Sequence, residues 1–121
     1  MYTNALNNLG AVYIQLEDWD PAIDTLKTAI ARKPDFVESY YNLAGVYEQK
    51  GMKTEAEDMY RTAIDLHPED PDALARLATL VYDKGEIDEA AQLLMASLKI
   101  DSSNPTAVAL VLRMKKDGVA E

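Results

Sequence analysis

The chain has 121 residues, 48 % of them hydrophobic, enough to build a real core rather than stay disordered. Twelve basic against twenty-one acidic residues leave a formal net charge of −9, which argues against nucleic acid as a partner, since phosphate backbones are held by an excess of Lys and Arg. Cysteine is absent, which removes disulfides, thiol catalysis and thiolate metal sites.

The longest apolar run, Ala107 to Leu112, is far too short to cross a bilayer, so no membrane partner is expected. No signal-peptide pattern is visible, and a cytoplasmic or other intracellular protein is expected. The first helix is predicted from near Thr3 to about Leu16, with the opening Leu6-x2-Leu9-Gly10-x2-Tyr13. Glu17-Asp18-Trp19 forms a turn over which Trp19 is expected to pack. Asp20 and Pro21 then read as N-cap and first residue of a second helix. Arg32-Lys33 ends it, with cations suited to the negative end of the dipole.

The next hairpin is the clearest. Tyr40, Leu43, Ala44 and Tyr47 fall at i, i+3, i+4 and i+7, one side of a helix. Gly51 follows, where a left-handed C-cap needs no Cβ. Thr54 with Glu57 reads as a capping box opening a helix that carries Ala56, Met59, Tyr60, Ala63 and Ile64 and stops at Pro68. A third hairpin starts at Asp70-Pro71, turns at Lys84-Gly85, and continues from about Asp88 to Ile100. Asn104-Pro105 opens a seventh helix bearing Val108, Val111 and Leu112, and Lys115-Lys116-Asp117-Gly118 ends it.

These segments are one pattern repeated every 34 residues: Leu9, Leu43 and Leu77; Tyr13, Tyr47 and Val81; Leu26, Tyr60 and Leu94; and Ala22, Ala56 and Ala90, which are expected to be buried at close helix crossings. The period, the large-x2-Leu-small-x2-aromatic opening and the Ala-x3-large middle resemble the tetratricopeptide repeat (TPR) over essentially the whole chain. The resemblance implies an all-α, right-handed superhelix of helix-turn-helix repeats, an α-solenoid. It implies one TPR domain over residues 1–121, with repeats at about 3–36, 37–70 and 71–104 and an extra helix at about 105–117. The abrupt start and the unpaired last helix read as a fragment cut from a longer array.

Nothing in the chain assembles catalytic chemistry, so no enzyme activity, cofactor or metal is expected. His67, the lone histidine, lies at a helix C-terminus where a cation favours the dipole. The carboxylates of Glu55, Glu57 and Asp58, and of Glu86, Asp88 and Glu89, sit in the first turns of second helices, where negative charge stabilises the terminus. What remains is a surface. Each first helix carries a second stripe, which in TPR arrays lines the concave groove that binds peptides or partner helices.

In the first repeat that stripe is Asn4, Asn7, Asn8, Ala11, Ile14 and Gln15. In the second it is Glu38, Tyr41, Asn42, Gly45, Glu48 and Gln49; in the third, Asp72, Ala75, Arg76, Thr79, Tyr82 and Asp83. Side-chain amides can bond a peptide backbone as donor and acceptor, and exposed Tyr41 and Tyr82 would supply contact area. The resemblance thus names Asn4, Asn7, Asn8, Glu38, Tyr41, Asn42, Glu48, Asp72, Arg76, Thr79 and Tyr82 as candidate ligand contacts. Some TPR domains clamp a chain-terminal carboxylate with two Lys, two Asn and an Arg. Here Asn42 and Arg76 match, but Asn7, Ala11 and Asp72 hold the other places, so an acidic chain end is not the expected ligand.

The expected function is a protein-protein interaction scaffold for a neutral to basic peptide or helix. The alternative is a substrate-recruiting fragment of a larger enzyme such as a glycosyltransferase. With no eighth helix to follow, part of the surface of Val111, Leu112 and Met114 is expected to lie uncovered, and Leu110 adds apolar area on the groove stripe, which together predict self-association through the seventh helix.

Overall fold

The computed structural model describes residues 2–119. Among them are seven α-helices and no strand: α1 (Thr3–Gln15), α2 (Trp19–Arg32), α3 (Val37–Gln49), α4 (Lys53–Leu66), α5 (Pro71–Asp83), α6 (Ile87–Ile100) and α7 (Pro105–Lys116). The 34-residue period is kept to the residue, since α1, α3, α5 and α7 start at Thr3, Val37, Pro71 and Pro105. Contacts divide the chain into two compact units, Met1–Leu66 and His67–Glu121.

In the first unit α1 pairs with α2 and α3 with α4, and α2 packs against α3. Small residues let the helices approach: Ala22 and Ala56 are fully buried, as the sequence pattern predicts, beside Leu26, Leu43 and Tyr60. Burying each such large side chain is worth about 1.5–3 kcal/mol. Gly10 meets Leu26 so closely that a Cβ there would lie 2.7 Å from Leu26 Cδ2.

The α1–α2 turn repeats the α3–α4 turn without its glycine. Gly51 sits at φ 75° and Glu17 at φ 56°, both left-handed. The N–H of Asp18 donates to the Tyr13 carbonyl at 2.9 Å, and that of Met52 to the Tyr47 carbonyl at 2.8 Å, closing the same C-terminal motif. The following helix then starts at once, which corrects two expected caps. Asp20 lies within the first turn of α2, where it pairs with Lys50, and Thr54 lies within the first turn of α4. Trp19 is the first residue of α2 and is half-buried.

In the second unit α5 pairs with α6, and α7 packs on both. Here the expected caps form: Asp70 accepts from the N–H of Asp72 at 3.0 Å, and Asn104 from that of Ala107 at 3.0 Å. Ala90, Leu94, Ala107 and Met114 are buried. Burial of Met114 and Leu110 departs from the expectation that α7 leaves them uncovered, because α7 lies down in the seam between α5 and α6. Leu112 is left 62 % exposed. No helix among the described residues is long and apolar enough to cross a membrane.

Candidate functional site

The stripe in the first unit is built on α1 and α3. Asn7, deep in it at 5 % exposure, is held by its side-chain carbonyl, which accepts from Asn42 Nδ2 at 3.2 Å and from Ser39 Oγ at 3.4 Å. The two donors lie three residues apart on α3 and so share one face. Asn7 therefore aligns the stripe from beneath. Asn4, Asn8 and Glu38 stand exposed around an open recess of about 460 Å³ that Asn7 and Phe36 also line. Asn42 is half-buried; one N–H of its Nδ2 goes to Asn7, and its second N–H and its carbonyl oxygen are what it can offer a ligand.

Farther along α3, the Tyr60 hydroxyl donates to the Glu48 carboxylate. The Tyr60 ring meets Tyr41 edge-on, with centroids 5.8 Å apart at 76°. Tyr41 is thus a half-buried aromatic held on a fixed support. Spacing alone had not revealed that support, because Tyr60 comes from the second helix of the hairpin. Its one sequence signal is that Tyr60 stands where the other repeats have Leu26 and Leu94.

In the second unit the stripe is largely closed by its own partners. Tyr82 is only 7 % exposed, which corrects the expectation of an open aromatic contact. Its hydroxyl donates to Asp117 at 2.6 Å, and the Arg113 guanidinium lies 4.8 Å from its ring centre, paired in turn with Asp83. The bond to Asp117, helped by burial, holds the Tyr82 phenol above its ordinary pKa of 10.0. Arg113 and Asp117 sit four apart on α7, a spacing that could have flagged a cross-helix lock, had α7 been counted as a wall of the stripe.

Asp72 accepts from Asn104 Nδ2, so one asparagine both caps α7 and ties it to the start of α5. Thr79 is half-buried and its hydroxyl donates back to the Ala75 carbonyl at 3.0 Å. An open recess of about 400 Å³ lies between Thr79 on α5 and Thr106, Leu110 and Arg113 on α7. Arg76 is exposed. Among the described residues no three His, Asp or Glu side chains gather as a metal would require.

Two family comparisons bear on this arrangement. A tetratricopeptide-repeat family model matches residues 49–114, and a second TPR-repeat model matches residues 10–51. No curated protein sequence matches the chain. Among solved structures, the first TPR of Spaghetti (RPAP3), bound to the HSP90 peptide SRMEEVD, is 19 % identical, with a TM-score of 0.89 over 98 % of this chain and 94 % of that one. The Arabidopsis OM64 TPR domain is 20 % identical, with a TM-score of 0.88 over 95 % of each chain. MamA is 24 % identical, with a TM-score of 0.86 over 97 % of this chain and 69 % of that one. At these identities the likeness concerns the fold. The repeat pattern, the paired helices and the family matches together place the chain in the tetratricopeptide repeat family of protein-interaction modules.

Proposed function

We propose that the chain acts as one TPR interaction domain, a scaffold that binds an extended or helical segment of a partner protein on the groove stripe of its first helices. The observation that carries this reading is the Asn7–Ser39–Asn42 cluster, in which a buried amide fixes its neighbour's orientation. Such pre-organisation lowers the ordering cost of binding, and it leaves Asn8 and the Asn42 carbonyl to bond a peptide backbone. Tyr41 contributes an aromatic surface already braced by Tyr60. A TPR domain of similar fold is itself bound to an HSP90 peptide.

The ligand in this reading is neutral to basic, unlike the acidic SRMEEVD of that relative. Asn7 and Asp72 stand where a carboxylate clamp needs lysines, and Glu38 lies exposed at the rim. Asn4, Thr79 and Arg76 are assigned as further contacts, with Arg76 meeting an acidic group of the partner; Glu48 and Tyr82 contribute by shaping the stripe. Screening peptide arrays with the whole chain would supply a ligand. Asn42→Ala and Tyr41→Ala should each then weaken it by about 1–2 kcal/mol, roughly 5- to 30-fold. Asp58→Lys, on an exposed position of α4, should leave affinity unchanged. Unchanged binding in both stripe variants, with loss in Asp58→Lys, would move the site off the groove.

A further inference from the structure

Two apolar stripes of this chain lie outside the groove and are left partly open among the described residues. The first is on α1, where Ala5, Leu9, Val12 and Leu16 follow a 4-3-4 spacing along one face. Val12 is 49 % and Leu16 69 % exposed. The repeat itself shows what this stripe is built for. In α3 the corresponding Ser39, Leu43 and Val46 are 0 %, 1 % and 1 % exposed, with α1, α2 and α4 packed around them. The second is the outer face of α6 and α7. A cleft of about 480 Å³ runs there between Ala91 and Met95 of α6 and Val111 of α7, with Val119 at its rim. Met95, in its lining, is 70 % exposed, and Leu112, next along α7 from Val111, is 62 % exposed. Leu112 occupies the repeat position of Gly10 and Ala44, which in the first unit are buried in their hairpins.

We propose that the α1 stripe of one copy docks into the α6–α7 cleft of a second copy, joining chains head to tail. Charge favours the pairing: Glu17 and Asp18 stand exposed at the end of the α1 stripe, and Lys115 and Lys116 at the end of α7. Setting acid against base aligns α1 parallel to α7. It also opposes the alternative of α7 against its own copy, which would gather the lysines near the positive end of a helix dipole. A contact between two different faces leaves one of each free at the ends of an open string of copies, so association should grow with concentration beyond the dimer unless the string closes into a ring.

The test is analytical ultracentrifugation of the whole chain into the millimolar range, with two variants whose altered side chains already face water. Val12→Glu spoils the docking stripe and Met95→Glu the cleft, and helicity by circular dichroism checks that both still fold. The wild-type mass should rise with concentration, and each variant alone should stay monomeric. An equal mixture should form a dimer and stop there, because Met95→Glu still supplies a sound α1 and Val12→Glu a sound cleft. Should Val12→Glu fail to fold, Leu16→Glu replaces it. A wild type that stays monomeric, a Val12→Glu variant that still associates, or a mixture that stays monomeric would each overturn the proposal.

Discussion

Glu17 occupies a backbone position that two other repeats give to glycine. Its φ of 56° lies beside Gly51 at 75° and Gly85 at 87°, each one residue past the C-cap of a first helix. A side chain there costs about 1 kcal/mol of left-handed strain, which glycine avoids. Glu17→Gly should therefore raise the melting temperature by about 3–5 °C. Gly51→Ala, with open space around its missing Cβ, should lower it by a similar amount through backbone strain alone. A stabilised Gly51→Ala would refute the reading. Gly10 is constrained differently, by space. Leu26, fully buried, stands 2.7 Å from where a Cβ would lie and has nowhere to retreat, so Gly10→Ala should cost about 1–3 kcal/mol by urea unfolding. That a small residue belongs at position 10 was legible in the repeat; that Ala44 is tolerated 34 residues on, while position 10 is tighter, depends on which side chain faces it.

At the scale of elements, the sequence signals for caps held at the starts of α5 and α7 and failed where a turn overrode them, even at Asp20, which also precedes a proline. Asp70 and Asn104, each before a proline, accept backbone N–H groups at the starts of α5 and α7. Thr54 and Asp20 had the residue types of caps, but the left-handed turn residue fixes each second helix to begin two positions later, ahead of both. Asp70→Ala should thus cost about 1 kcal/mol. Asn104→Ala should cost more, since Asn104 is buried and also holds Asp72. Thr54→Ala should change little. Close helix contact was legible from the alanines alone: Ala56 is fully buried, and Ala56→Leu should overpack the α3–α4 crossing by about 1–3 kcal/mol. The α5–α7 tie through Tyr82 and Asp117 was not legible, and it carries a pH signature. Because the folded state raises the Tyr82 pKa, its contribution is fully present below the ordinary 10.0 and declines as pH rises through the folded value. The urea midpoint of the wild type should therefore fall across that alkaline range, and Tyr82→Phe should flatten part of the fall.

For the molecule as a whole, periodicity made the fold readable because every repeat states the same pattern, and a misjudged cap in one is outvoted by the others. The groove was less readable. Spacing assigns residues to a face, but exposure on that face depends on neighbours from other helices, which is why Asn7, Tyr82 and Leu110 are buried. The same limit bears on the charge of the ligand. Of four stripe carboxylates, Glu48 accepts from Tyr60, Asp72 from Asn104 and Asp83 pairs with Arg113, whereas Glu38 stands exposed beside the asparagine recess. Attraction of a basic ligand should then centre on Glu38, within the general field of a chain carrying −9. Raising salt from about 0.05 M to about 0.5 M shortens the Debye length from about 14 Å to about 4 Å and should weaken a basic peptide. Glu38→Gln should lower its affinity by about two- to five-fold, the size expected of one exposed ion pair, and should reduce the salt dependence with it. Titrating one basic peptide into both proteins at the two salt levels measures all four affinities; a salt dependence that survives Glu38→Gln undiminished would place the attraction in the net charge rather than at the groove.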